Sequence, residues 1–519
     1  MTKKIILIQP KAPENFWTLQ KFLDLMHKKG NFPPISLATV AALTPSIYQI
    51  SIIDENIDNI DFGIECDLVG ITGYTVHAQR MFKIASEFRK RGVLTVGGGV
   101  YCSSHLEQCL PNFDVVIKGE AEKIWPQFLN DWERGEFQRC YIEENSIDLK
   151  ISPQPRWDLL PIDRYLAGIV QSSRGCPNDC EFCDVRALFG HKSRYKLVDQ
   201  VMQEIKWFKD HDAIEIFLAD DNFIGNKKYA KEILKHLIEL NKNLKKPIAF
   251  FTQVTLNVAE DDELLRLFRE AGFGALFIGI ETPKKESLEI ANKKTNLQLD
   301  LKGAVRKIQA HGIMVYSGMV VGFDADDLEI FEQQEQFLSE AGIMVPMIGM
   351  LVAMKNTELW KRLEKEGRLV PDSEFGDQER ETNIIPLLMT KTELENNYFK
   401  LIKKVHGSAN FLLRYRSFIS QIDLKLIMPD SIIAKYMDIK NFRMPVFLWA
   451  LRVIRDYLFS WEKSRRKLFF SVMRLTVSKS IICLPLALNS LAYFLSLDDY
   501  VKRSFGYPAG CQEKEGLKI

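Results

Sequence analysis

Residues 172–183 read SSRGCPNDCEFC, and this stretch decides the fold of the chain around it. Cys176, Cys180 and Cys183 form a C-x3-C-x2-C array within eight residues. Three thiolates hold three irons of a [4Fe–4S] cube and leave the fourth iron open to a ligand that is not protein. A four-cysteine electron carrier would cap every iron. A zinc knuckle would want a fourth Cys or His at matched spacing. The nearest candidate, His191, lies eight residues on with no second half-site. The array is therefore read as a cluster site with one iron open to chemistry.

The rest of the composition is that of an ordinary globular protein. At 519 residues, 46% hydrophobic and 26% charged, it is long enough for two to four domains. A net charge of +1 gives no global electrostatic case for nucleic acid. The other six of its nine cysteines (Cys66, Cys102, Cys109, Cys140, Cys483, Cys511) are scattered, which implies a reducing setting rather than a disulfide framework. The opening MTKKIILIQP breaks at Gln9-Pro10 and reads as a first strand, not a signal peptide. A cytoplasmic protein is expected.

Upstream of the array, short β-branched runs alternate with helical segments. Strands are expected at 4–8, 50–54, 67–72, 94–97 and 114–118, with helices at 34–42, 78–91 and 121–134. That alternation predicts a doubly wound parallel sheet, whose ligands sit beyond the carboxyl ends of the strands. Three exits stand out: Thr72-Gly73-Tyr74-Thr75, Gly97-Gly98-Gly99 and Gly119-Glu120. Glycines there would let backbone approach a flat or phosphate-bearing ligand. No G-x-G-x-x-G follows the first strand, which disfavours a dinucleotide.

A proline-bearing stretch, residues 145–162, reads as a linker. Beyond it, six strand–helix units are expected over 163–365, with strands at 168–171, 214–218, 248–252, 275–280, 314–321 and 347–352. Polar groups fall at their exits: Asp220-Asp221-Asn222, Thr252-Gln253, Gly279-Ile280-Glu281-Thr282, and Gly318 to Asp324 around Gly322. A methionine run, Met344, Met347, Met350 and Met354, reads as core filling.

The array, with Phe182 before its last cysteine, resembles the signature of the radical S-adenosylmethionine (SAM) enzymes. The resemblance implies a partial (β/α)6 barrel whose first strand leads into the cluster loop. It places Phe182, Asp220, Asp221, Asn222, Thr252, Gln253, Glu281, Gly318 and Gly322 around SAM. The sequence departs from the family pattern after Gly322-Phe323-Asp324, where Ala325 stands in place of a trailing Glu. Residues 1–144, through PPISLATVAAL, TGYT, the glycine run and VVIKGEAE, resemble the cobalamin-binding module of B12-dependent members. That module would use Thr72, Gly73, Tyr74, Thr75, Gly97, Gly98, Gly99, Gly119 and Glu120. It lacks D-x-H-x-x-G: after the second strand the chain reads Asp54-Glu55-Asn56-Ile57. His77, the one histidine near a ligand loop, reads as solvated or capping.

Residues 366–519 have no barrel periodicity and are expected to form a mainly helical domain. From 441 to 479 there is a local charge excess of +7, interleaved with Phe, Trp, Leu and Ile. Residues 480–497 then carry no charge but include Pro485 and Asn489, a poor composition for a membrane span. Two readings stay open for 441–497: peripheral contact with the inner face of a membrane, or a helical cap over the barrel. Residues 506–519 read as disordered. The phrases PRWDLLPIDRYL, LADDNFIGNKK, TLNVAEDDELL, FIGIETP and VVGFD resemble the branch that includes hopanoid methylases. The function implied is reductive cleavage of SAM and methylation of an unactivated carbon of a small molecule or lipid. Its cofactors would be a [4Fe–4S] cluster, SAM and cobalamin, with a flavodoxin or ferredoxin as electron donor. A radical cyclase, coupling or rearrangement enzyme and a non-catalytic B12 or redox sensor are the alternatives. A methylthiotransferase is disfavoured, since residues 1–150 hold no second cysteine trio.

Overall fold

The computed structural model describes residues 2–370, 377–427 and 444–506. The expected disorder beyond residue 506 lies outside the described residues. Contacts divide the chain into two compact units: Met1–Glu14, Lys28–Asn222 and Val352–Asp377 form the first, and Asn15–His27, Phe223–Leu351 and Gln378–Ile519 the second.

The first unit holds β1 (Lys4–Gln9), β2 (Gln49–Asp54), β3 (Leu68–Thr72), β4 (Leu94–Gly98), β5 (Val115–Lys118) and β6 (Cys140–Ile142). All six are parallel, in the order β2-β1-β3-β4-β5-β6. Strand β1 shows why the sequence runs apolar without alternation. Ile5 and Leu7 pack on one face with Leu37, Trp125 and Phe128, while Ile6 and Ile8 pack on the other with Met81, Ile84 and Phe88. A strand covered by helices on both sides has no polar face. Strand β6 was not expected; its three residues carry no pattern, and only pairing with β5 defines it.

Residues 145–162 do not trail as a free linker. They form short turns, and Trp157, 1% exposed, sets its ring 5.1 Å from that of Phe208. After them come β7 (Gly168–Val170), the ribbon of β8 (Ser173–Arg174) and β9 (Arg194–Tyr195), and β10 (Glu215–Leu218), which pairs parallel with β7.

The second unit continues the strand–helix alternation with β11 (Ala249–Val254), β12 (Phe273–Glu281), β13 (Met314–Val321) and β14 (Val345–Met350), each parallel to the next. Six parallel strands from β7 onward, leaving the ribbon aside, thus alternate with helices along the chain. The helix Asp262–Ala271 is typical: Asp261 caps it by accepting from Leu264 N, Gly272 ends it in the left-handed region, and Leu264, Leu265 and Phe268 face inward. Met344, Met347 and Met350 are buried, as a core-filling role requires. From Lys391 the elements of this unit among the described residues are helices.

Candidate active site

The loop that carries the three cysteines belongs to the first unit. All three are half-buried and none is in a disulfide. Among the described residues, no three His, Cys, Asp or Glu side chains converge as ligands of a single metal ion. That is compatible with a cube, whose cysteines each bind a different iron and so stand apart.

The approach to the loop is fixed by carboxylates. Asp220, at the exit of β10, accepts from the backbone N–H of Ser172 and of Ser173, both at 2.7 Å, and from the Ser172 hydroxyl. Burial pushes it up to about 6 against the pull of those hydrogen bonds. Asp221 accepts from Gly175 N at 2.7 Å. Gly175 has φ +90°, and a Cβ there would lie 2.9 Å from the Lys192 carbonyl, so only glycine passes. Within the array, Glu181 accepts from Arg362 Nη2 at 3.2 Å, while its carbonyl accepts from Leu359 N at 3.0 Å. The helix Glu358–Lys365 thereby returns to hold the loop from outside.

Arg174, two residues before Cys176, reaches the sheet module. Its guanidinium pairs with Glu120 at 2.7 Å and Glu122 at 2.8 Å, and Glu120 also takes Arg194 at 2.7 Å. Burial pulls the Arg174 guanidinium down, but Glu122 and Glu120 outweigh it and hold it above its ordinary value. Glu120 therefore sits in an ion-pair network beside the cluster loop, engaged with protein on both oxygens. Tyr195, on the ribbon strand opposite, is raised by burial and by the nearby Asp220 and Cys176. Neither Arg174 nor Tyr195 was singled out from the sequence. Arg174 stood in the opening stretch; its signal was the pair of acids in GEAE at the start of a helix.

At the strand exits of the sheet module most glycines serve the protein's own packing. A Cβ on Gly73 would lie 2.7 Å from His77, on Gly97 2.7 Å from the Phe113 ring, on Gly99 2.1 Å from Thr72 Oγ1, and on Gly119 2.4 Å from the Glu143 carbonyl. Gly98 differs: its φ is an extended −150°, and a Cβ would meet nothing nearer than 3.9 Å. Tyr74 is 61% exposed, yet its hydroxyl is pushed above its ordinary range by burial, then by Asp184 and Asp221. Tyr74 thus stands near Asp184, the residue that follows Cys183. Thr75 begins the turn Thr75–His77. His77 is buried, not solvated; its Nδ1 accepts from Tyr74 N at 3.1 Å, and burial lowers it to about 4.

Asn222 is buried at the end of the first unit, and Phe182 is half-buried inside the array. The second unit holds the remaining residues expected around SAM. Thr252 is fully buried on β11 and Gln253, on its other face, is half-buried. Glu281 ends β12 at φ +68°, where the register with β13 slips, and its carboxylate pairs with Lys293 at 2.7 Å. A Cβ on Gly279 would lie 2.4 Å from that carboxylate, which accounts for the glycine in G-I-E-T. Gly318 faces Phe277, and Gly322, at φ +106°, faces Leu394. Asp326 accepts from Gly322 N, Phe323 N and the Ser287 hydroxyl at 2.9, 3.1 and 2.6 Å. Burial raises it to about 6. It fastens the turn one residue beyond the position where the family's Glu was expected.

Residues 170–333 match the profile of the Radical SAM superfamily, and residues 357–499 that of a domain of unknown function, DUF4070. An uncharacterized methyltransferase of Synechocystis sp. is 33% identical over 467 residues, 88% of this chain and 85% of that protein. The hopanoid C-2 methylase of Rhodopseudomonas palustris is 33% identical over 395 residues, 75% of this chain and 74% of that one. Among solved structures, the cobalamin-dependent SAM radical enzyme OxsB superposes with a TM-score of 0.58 at 15% identity, covering 96% of this chain and 80% of that one. At that identity the likeness concerns the fold. Array, strands and profile together define a radical SAM enzyme. The chain belongs to the radical SAM family that contains the hopanoid C-2 methylase and the Synechocystis methyltransferase.

Proposed function

We propose that this enzyme is a cobalamin-dependent methyltransferase acting on an unactivated carbon of a small apolar molecule, a hopanoid-like or other lipid. The observation that supports it most is the placement of two features in one compact unit. The cysteine array and the exits Thr72–Thr75 and Gly97–Gly99 both belong to the first unit, with Tyr74 beside Asp184 and Asp221. The methylase relatives support methyl transfer, and the cobalamin-dependent fold neighbour supports the corrinoid.

When bound, the cluster and SAM supply a 5′-deoxyadenosyl radical and the corrinoid supplies the methyl group. The chain's own groups hold and shield them. Cys176, Cys180 and Cys183 each hold one iron, and Asp220, Asp221 and Glu181 keep their loop in place through its backbone and flank. Thr252, Gln253, Glu281, Gly318 and Gly322 are assigned to SAM. Gly98 leaves room for a flat ligand, and Tyr74 is exposed near Asp184 and Asp221. His77 is committed to the Tyr74 turn through its Nδ1, so it would hold that turn rather than a corrinoid's metal. The reductant is a flavodoxin or ferredoxin. The test is anaerobic incubation of the reconstituted holoenzyme with SAM, reductant and a bacterial lipid extract. A product heavier by one CH2 supports the proposal; a product with unchanged carbon count assigns the chain to cyclisation or rearrangement instead.

A further inference from the structure

Three helices, Met444–Leu458, Lys463–Lys479 and Leu484–Phe505, pack on one another in the second unit. The third is long and apolar enough to cross a membrane by length and composition, but 67% of that window is buried within the protein. Its buried Asp498 is ion-paired with Arg465 and Lys502. It is the core of the group, and the other two lie against it.

The first helix sends Trp449, Val453 and Tyr457 inward, and the second sends Leu468, Phe469, Val472 and Thr476. Helical spacing puts Phe447, Leu451 and Leu458 on the far side of the first helix and Phe470 and Val477 on the far side of the second. These are 45%, 46%, 37%, 60% and 65% exposed, and the turn between the helices carries Phe459 at 80% and Trp461 at 98%. Soluble surfaces scatter such side chains singly; here they fill two adjoining helix faces and the turn that joins them. Lys463, Lys467 and Arg474 share the outward side of the second helix, and none forms an ion pair among the described residues. Aromatic residues at the tip, apolar stripes and uncompensated cations together form the pattern of a helix pair lying in a bilayer interface. A protein partner's apolar patch would match the stripes but leave three cations without counter-charge.

We propose that this two-helix face docks the enzyme on an anionic lipid bilayer, with Phe459 and Trp461 entering the interface and Lys463, Lys467 and Arg474 against the phosphates. The inference does not depend on the reaction catalysed. It is tested by sedimenting the full-length holoenzyme with vesicles of phosphatidylcholine alone and of phosphatidylcholine with phosphatidylglycerol in equal parts. Binding to the anionic vesicles alone, released by salt, is expected. Each basic side chain near such a surface strengthens binding about fivefold. The combined Lys463→Gln, Lys467→Gln, Arg474→Gln variant should therefore bind about a hundredfold more weakly. Phe459→Ser with Trp461→Ser should also release the protein, while Trp461→Phe retains binding; all replaced side chains are exposed, so thermal unfolding should stay at the wild-type value. Failure to bind anionic vesicles at low salt, equal binding by wild type and variants, or equal binding to both vesicle types overturns the proposal. So does a wild-type dimer that the Phe459/Trp461 variant dissolves, because the face would then join two copies.

Discussion

Replacing Arg174 by Met would remove the cation paired with Glu122 and leave that carboxylate, 2% exposed, with the Ser152 hydroxyl and its own backbone N–H. Glu120 would keep Arg194 and the Ile147 amide, so the loss falls mainly on Glu122. Removing one partner of a buried pair costs about 3–5 kcal/mol, because the remaining charge stays desolvated. With a urea m-value of about 2–3 kcal/mol/M, the midpoint should fall by at least about 1 M. The pH dependence supplies an independent check. In the wild type, burial raises the Glu122 carboxyl but Arg174 outweighs it and holds it below its ordinary range. That contribution is present above the unfolded carboxyl value of about 4.3 and is lost as pH falls through the lower folded value. In Arg174→Met burial is opposed only by the remaining hydrogen bonds from Ser152 and the Glu122 backbone, and the folded value rises, so the penalty grows as pH rises above about 4.3. The gap between variant and wild type should therefore shrink from pH 7 to pH 5. Adding Glu122→Gln should recover most of the loss. The assay is urea unfolding followed by intrinsic fluorescence at both pH values. A loss below about 1 kcal/mol, a gap independent of pH, or no recovery with Glu122→Gln would refute the reasoning.

The glycines of the second exit should separate folding from ligand binding. Gly99→Ala, at φ +85° and 2.1 Å from Thr72 Oγ1, is expected to destabilise by at least about 2 kcal/mol. Gly98→Ala should leave the melting temperature unchanged yet weaken corrinoid retention on gel filtration. Burial lowers His77 and His105 to about 4 and His406 to about 3. The unfolded chain then binds more protons below about pH 6.5, so their contribution is complete above that value and lost as pH falls toward 4. The three together should cost about 3 kcal/mol between pH 6.5 and 5.5, seen as a falling melting temperature at constant ionic strength.

Element order was legible because the strands are short apolar runs, β-branched in the first sheet above all, set between amphipathic helical segments. The five expected strands of the first sheet and all six of the barrel region fall within a few residues of their observed bounds. What the sequence could not show is which neighbour each residue meets. Glycine at a strand exit signals close approach, but Gly97 and Gly99 are approached by Phe113 and Thr72 from within the protein. The acids at the β10 exit were noticed for their charge, whereas their oxygens hold the backbone of residues 172–175. The C-terminal charge excess was also an overcount of the outward face. Arg465 is committed to Asp498 and Asp499, Arg452 to the Leu25 carbonyl and Lys479 to that of Ser420. Only the structure separates these from Lys463, Lys467 and Arg474.

The most direct measurement is 5′-deoxyadenosine formation by the anaerobically reconstituted protein with SAM and dithionite, with corrinoid content determined on the same sample. The wild type should cleave SAM and retain a corrinoid through gel filtration. The Cys176→Ala, Cys180→Ala, Cys183→Ala variant should make no 5′-deoxyadenosine, and Cys102→Ala should behave as wild type. Cleavage that persists without the array, or a wild-type protein that cleaves SAM but never retains a corrinoid, would contradict the account.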